Sequence, residues 1–127
     1  MDPFTHYGMA AAQMAIADAG LALDTIDRER IGVLVGSGIG GLYIMQKQGQ
    51  NFEREGPKKF SPFMIPQMIT DILSGYIAIE HGLQGPNFSI SSACATAAHS
   101  MGESMRMIQS GDADLMMAGG AESALND

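Results

Sequence analysis

The stretch Asn87-Phe88-Ser89-Ile90-Ser91-Ser92-Ala93-Cys94-Ala95-Thr96, with its continuation through Gly111 to Leu115-Met116-Met117-Ala118, decides how this chain folds. Asn87 to Ser91 reads as a short strand, Ala95 to Gln109 as a helix closed by Gly111, and Leu115 to Ala118 as the next strand. Two strands joined through a helix run parallel, because the crossover returns the chain to the same end of the sheet.

Working outward, Ile31 to Val35 is a β-branched, uncharged run ending in Gly36, as expected of a strand buried on both faces. The glycine-rich turn Gly36-Ser37-Gly38-Ile39-Gly40-Gly41 then leads into the amphipathic stretch Leu42 to Arg54. Near the start, Asp2 before Pro3 reads as a helix N-cap and first helical position, with Gly20 closing the helix. Phe4, Tyr7, Ala11, Met14 and Ala15 recur at helical spacing and are expected to face the core. Gly56 to Pro66 reads as a surface loop, and Gln67 to Glu80 as one helix with Met68, Ile69, Ile72, Leu73, Tyr76 and Ile77 on a single face, ended by Gly82. The order α, β, α, α, β, α, β predicts an α/β layered fold with helices packed on a mostly parallel sheet. One domain, 1–127, is expected; no linker or convincing repeat interrupts it, although the strand ends at Gly36 and Gly119 are weakly alike.

Composition narrows the classes of function. The 46% hydrophobic and 17% charged content is that of a globular protein. Fourteen acidic against seven basic residues give a net charge of -7, which disfavours nucleic acid and anionic membranes, since phosphate contacts need clustered Lys and Arg. No uncharged apolar window approaches the ~20 residues that cross a bilayer, and the N-terminal residues do not read as a secretory signal, so cytoplasmic residence is the default expectation. The chain holds one cysteine, so an internal disulfide is impossible and the thiol becomes a candidate for chemistry.

Cys94 falls between a predicted strand and a predicted helix, where backbone N–H groups and the helix dipole favour a thiolate. Its neighbours, from Ser91 to Ala98, are all small, leaving room for a substrate to approach. A structural cysteine would not need that clearance. A strong nucleophile that is also a competent leaving group suits acyl transfer between thioesters.

The run Ser89-Ile90-Ser91-Ser92-Ala93-Cys94-Ala95-Thr96, followed by Gly111-Asp112-Ala113-Asp114 and Ala118-Gly119-Gly120-Ala121-Glu122, resembles the nucleophile region of β-ketoacyl-acyl carrier protein synthases. Upstream, Gly36-Ser37-Gly38-Ile39-Gly40-Gly41, Ser61-Pro62-Phe63 and Gly85-Pro86 fall in the order seen in the family's members that elongate longer acyl chains in dissociated fatty acid synthesis. The resemblance implies a thiolase-like fold, present here incompletely, and a reaction in which Cys94 takes an acyl group from a carrier-protein thioester before decarboxylated malonyl carrier protein attacks it. It further implies that the Cys94 N–H is one oxyanion donor, and that no cofactor or metal is used because acyl carrier protein brings the substrates.

By the same resemblance Ile39 and Met64 line the acyl pocket, Met64 reaching in from a partner subunit, although an aromatic residue is common at the Met64 position. The plain alternative is that both are ordinary core residues. Lys58 and Lys59, the only paired basic residues of an acidic chain, are candidates to contact the acidic carrier protein; the alternative is two solvated lysines. The strand Asn87 to Ser91 would pair across a homodimer's two-fold axis. His6, His81 and His99 read as structural. The family's two decarboxylating histidines, its first strand and the loop with the second oxyanion donor do not occur in these residues. The chain is therefore expected to correspond to an early part of such an enzyme, lacking its beginning, and by itself to support acyl transfer at most.

Three other readings compete. A polyketide ketosynthase is the near neighbour within the enzyme class. A dinucleotide-binding module would use Gly36, Gly38 and Gly41, which satisfy the G-x-G-x-x-G spacing, but it needs an acidic residue delivered by a second strand, and Glu53 and Glu55 fall in a polar helix end instead. A non-catalytic piece that dimerises through Asn87 to Ser91 is the third.

Overall fold

The computed structural model describes residues 1–125, so Asn126 and Asp127 lie outside the described residues. Eight elements follow in order: α1 Pro3–Asp18, β1 Ile31–Gly36, α2 Leu42–Glu55, α3 Met64–Met68, α4 Ile72–His81, β2 Asn87–Phe88, α5 Thr96–Ser110 and β3 Leu115–Gly120. The three strands form one sheet in the order β2-β1-β3, and both pairings are parallel. Among the described residues the sheet is thus wholly parallel rather than mixed.

β1 is central and buried along its whole length. Its register with β3 runs from Ile31 opposite Leu115 to Gly36 opposite Gly120, so the two glycine-rich strand ends noted in the sequence lie side by side. Ile31, Val33 and Val35 join Phe4 of α1 and Leu73 and Ile77 of α4 in the core. The opposite face of β1 meets α5: a Cβ on Gly36 would come 2.7 Å from Thr96 Cγ2. Burying side chains of this size stabilises by about 1.5–3 kcal/mol each, which anchors α1 and α4 on one face of the sheet.

Of the α1 stripe expected from the sequence, Phe4 is in the core, but Tyr7, Ala11, Met14 and Ala15 are exposed. The buried residues of that helix are Phe4, Thr5, Gly8 and Ala12, whereas Tyr7 and Met14 are 62% and 72% exposed. The cause is Gly8, whose missing Cβ lets the helix settle directly onto the Leu73 side chain. Close helix approach selects the small-residue face over the bulkier one.

The expected helix over Gln67 to Glu80 is two helices. Ile69 is extended, with ψ 147°, and the Met68 carbonyl accepts from Gly41 N–H at 2.8 Å instead of continuing a helical ladder. The strand expected over Asn87 to Ser91 pairs only at Asn87 and Phe88. Beyond them the Ser74 hydroxyl stands between the strands: it accepts from Val35 N–H at 2.9 Å and lies 3.0 Å from the carbonyls of both Val35 and Phe88. A side chain there replaces the next rung of the ladder.

The helix stops read from glycine hold. At Gly20, Gly82 and Gly111 the backbone is left-handed, with φ of 62°, 65° and 82°, and paired amide bonds reach back into the last helical turn. Among the described residues, no helix is long and apolar enough to cross a membrane.

Candidate active site

All three strands are parallel, so their C-terminal ends lie at one edge of the sheet, the position where open α/β sheets bind ligands. Three segments meet there: the turn Ser37 to Gly41 after β1, the segment Ser91 to Ala95 after β2, and Ala121 to Ala124 after β3. A cavity of about 430 Å³ opens between them, lined by Ser37, Gly38, Ile39, Cys94, Thr96 and Glu122 among others.

Cys94 is exposed at this cavity, on a single 3-10 turn, Ala93–Ala95, that runs straight into α5. Ala93 carries φ 51°, the left-handed region that L-residues enter only at a cost of about 1–2 kcal/mol. The surrounding bonds hold it there. Ser92 N–H donates to Thr96 Oγ1 at 2.9 Å, and Ala95 N–H donates to Ser92 O at 3.1 Å. Gly38 completes the fit: a Cβ on it would stand 3.2 Å from Ala93 Cα, a tight contact that the bare Cα avoids where the glycine turn lies against the elbow before Cys94.

The glycine turn is tied to β3. Ala121 N–H donates to Gly36 O at 3.0 Å, and the Glu122 carboxylate accepts from Ser37 Oγ at 3.1 Å and from Ile39 N–H at 2.9 Å. Buried Ser37 Oγ also accepts from Gly40 N–H at 2.9 Å. Glu122 stood within the quoted motif Ala118 to Glu122, but the sequence reading gave it no role. The available signal is a charged residue two positions after a glycine pair at a strand end.

The structure brings Ile39 to the same cavity as Cys94, with its side chain 55% exposed. Met64 begins α3 and does not line that cavity. Lys58 and Lys59 sit on the 3-10 turn Pro57–Lys59, and Lys59 Nζ pairs with Glu55 at 3.1 Å, so one of the two is engaged within the chain. None of the three histidines lines the Cys94 cavity. His99 Nδ1 lies 2.7 Å from Ser92 Oγ, bracing the approach to Cys94, and the His81 carbonyl accepts from Arg28 at 3.0 Å. The described residues hold no cluster of three or more metal-ligating side chains.

The glycine turn does not meet the requirements of a dinucleotide site. Glu53 and Glu55 lie in the last turn of α2, not at a strand end, and two donors of the turn, Ser37 Oγ and Ile39 N–H, already bind the Glu122 carboxylate.

The chain is 48% identical over 124 residues to the 3-oxoacyl-acyl-carrier-protein synthase 2 of Vibrio cholerae serotype O1, and 47% identical over 127 residues to that of Rhizobium meliloti. Each comparison covers 98% of this chain and 30% of the relative, so the chain spans about a third of the length of such proteins. Among solved structures, a ketosynthase in complex with its type II PKS acyl-carrier protein superposes with a TM-score of 0.87 at 25% identity, covering 97% of this chain and 35% of that one. A beta-ketoacyl synthase from Burkholderia phymatum gives a TM-score of 0.86 at 29% identity, covering 99% of this chain and 31% of that one. These likenesses establish the thiolase-like fold expected from the sequence. Since the model of the beta-ketoacyl synthase N-terminal domain matches residues 1–127, the chain belongs to the β-ketoacyl synthase family.

Proposed function

We propose that the protein carrying this chain is a 3-oxoacyl-acyl carrier protein synthase of fatty acid elongation, with Cys94 as its acyl-accepting nucleophile. The observation that carries the reading is Cys94 itself, exposed beside an apolar-walled cavity at the end of a parallel sheet and at the start of a helix of 15 residues. In the first half-reaction the Cys94 sulfur attacks the carbonyl carbon of an acyl thioester. The carbonyl π pair moves to oxygen, where the Cys94 N–H is one donor, and its return expels the carrier thiolate. In the second, malonyl carrier protein loses carbon dioxide, its α-carbon attacks the acyl-enzyme, and Cys94 leaves. The product is a β-ketoacyl thioester two carbons longer.

Since no histidine lines the Cys94 cavity, the groups that promote decarboxylation must come from beyond it. These residues alone are read as supporting acyl transfer at most, and not condensation. Ile39 fits a wall of the acyl pocket, and Met64, outside the cavity of its own chain, fits a contribution to a second subunit. The open edge of β2, whose two residues are exposed, supports a homodimer paired along Asn87 to Ser91. We read the enzyme as using no free cofactor, its substrates arriving on acyl carrier protein, and as cytoplasmic.

Lys58 and Lys59 are assigned to carrier-protein contact. Reversing both charges, Lys58→Glu with Lys59→Glu, is expected to raise KM for carrier-bound acyl substrate and spare small soluble thioesters. An equal effect on both substrates removes the assignment.

The function is tested by supplying the intact protein with acyl carrier protein and malonyl carrier protein substrates and identifying products by mass spectrometry. A β-ketoacyl product with the wild type, and none with Cys94→Ser, supports the reading; turnover that persists in Cys94→Ser overturns it. Relatives at 48% and 47% identity named 3-oxoacyl-acyl-carrier-protein synthase 2 favour fatty acid elongation over polyketide assembly.

A further inference from the structure

We infer that Glu122 is a positioning residue that fixes Ile39 against the Cys94 cavity and thereby sets which chain lengths Cys94 accepts; the inference rests on the acyl-transfer reading of that cysteine. The far end of the turn Ser37 to Gly41 is anchored by Gly41 N–H donating to Met68 O at 2.8 Å, and Gly38 O accepts from Ser91 Oγ at 3.3 Å, but Ile39 itself is more than half exposed. Its N–H is held by one carboxylate. Glu122 Oε1 accepts from Ser37 Oγ and Oε2 from Ile39 N–H, spanning Gly38 from both sides. A Cβ on Gly38 would lie 3.0 Å from Glu122 Oε2 and 3.2 Å from Ala93 Cα, so the carboxylate, the turn and the elbow before Cys94 touch at a single point. Both partners of that clamp, Ser37 and Ile39, line the cavity that Cys94 faces. A chain attached to the sulfur lies along the wall that Ile39 makes, and the place of that wall follows the clamp.

Residue chemistry separates a clamp from simple bulk. Glutamine keeps one acceptor for Ile39 N–H and offers a donor to Ser37 Oγ, whereas aspartate is one carbon too short to span both donors and alanine has neither acceptor.

The test uses N-ethylmaleimide and N-dodecylmaleimide on the intact protein and follows Cys94 modification by mass. The sulfur adds to the ring C=C, the π pair passes to the neighbouring carbon, and water supplies its proton, so no acyl transfer is involved. Glu122→Ala is expected to lower the ratio of long-chain to short-chain rate about tenfold, the scale of one lost charge-assisted hydrogen bond, with the N-ethylmaleimide rate within about twofold of wild type. Glu122→Asp, the variant that retains most of the side chain, is expected to lower the ratio less, and Glu122→Gln to restore it. An unchanged ratio in Glu122→Ala or Glu122→Asp overturns the inference, as does an equal loss with both reagents. A wild-type protein that reacts with maleimides but takes no acyl group from any acyl thioester contradicts the acyl-transfer reading, while the ratio still decides the role of Glu122.

Discussion

The Ser74 hydroxyl accepts a hydrogen bond from the Val35 backbone N–H at 2.9 Å, filling the place on β1 that a third β2 residue would otherwise occupy. Both residues are buried, so no water can take over that bond. Ser74→Ala leaves a buried N–H unpaired and is expected to cost about 2 kcal/mol. Urea unfolding measures it, and a loss under 0.5 kcal/mol would show that the strand end re-pairs without the hydroxyl.

Asp2 caps two helices at once. Its fully buried carboxylate accepts from Phe4 N–H at 3.3 Å, in the first turn of its own helix, and from Ile44 N–H at 3.0 Å, in the first turn of α2. Asp2→Ala removes both caps and is expected to destabilise by about 2–3 kcal/mol, with Asp2→Asn intermediate because one acceptor remains. Denaturant midpoints of the three proteins give the order directly.

Arg30 joins the start of β1 to the end of α5, donating to Gly111 O at 2.8 Å, Asp112 O at 3.3 Å and Asp114 at 2.7 Å. Its hydrogen bond, then its charge, hold the Asp114 carboxyl below the usual carboxylate range against the opposing effect of desolvation. A carboxyl depressed in the folded state contributes stability that is present above its unfolded value and lost as pH falls through the folded one. The pair is solvent-exposed and screened, so the contribution is small. Asp114→Asn is expected to flatten the decline in stability on acidification below the ordinary carboxylate range and to leave the decline above it unchanged. Unfolding midpoints across that interval, wild type against variant, check it; identical acid profiles would contradict the assignment.

Much of this architecture is legible in the sequence because its signals are local. The uncharged run Ile31 to Val35 predicts β1, Gly82 and Gly111 mark helix ends, and Cys94 stands at the strand-to-helix junction where the structure has it. What was not legible depends on partners distant in the chain. The buried side of α1 is chosen by Gly8 meeting Leu73, the break between α3 and α4 by Met68 O meeting Gly41, and the short β2 by Ser74. Glu122 is the same case at the site, since its role exists only where β3 brings it beside the turn after β1. Asp2 is half of each kind: the cap on its own helix follows from Asp before Pro, and the cap on α2 does not.

The central claim is tested most directly by incubating the protein with a soluble acyl thioester and mapping the adduct by intact and peptide mass. One acyl group is expected on the Cys94 peptide and none in Cys94→Ala, with alkylation of Cys94 by iodoacetamide faster than that of a free model thiol. No acyl adduct together with alkylation no faster than the model thiol would contradict it.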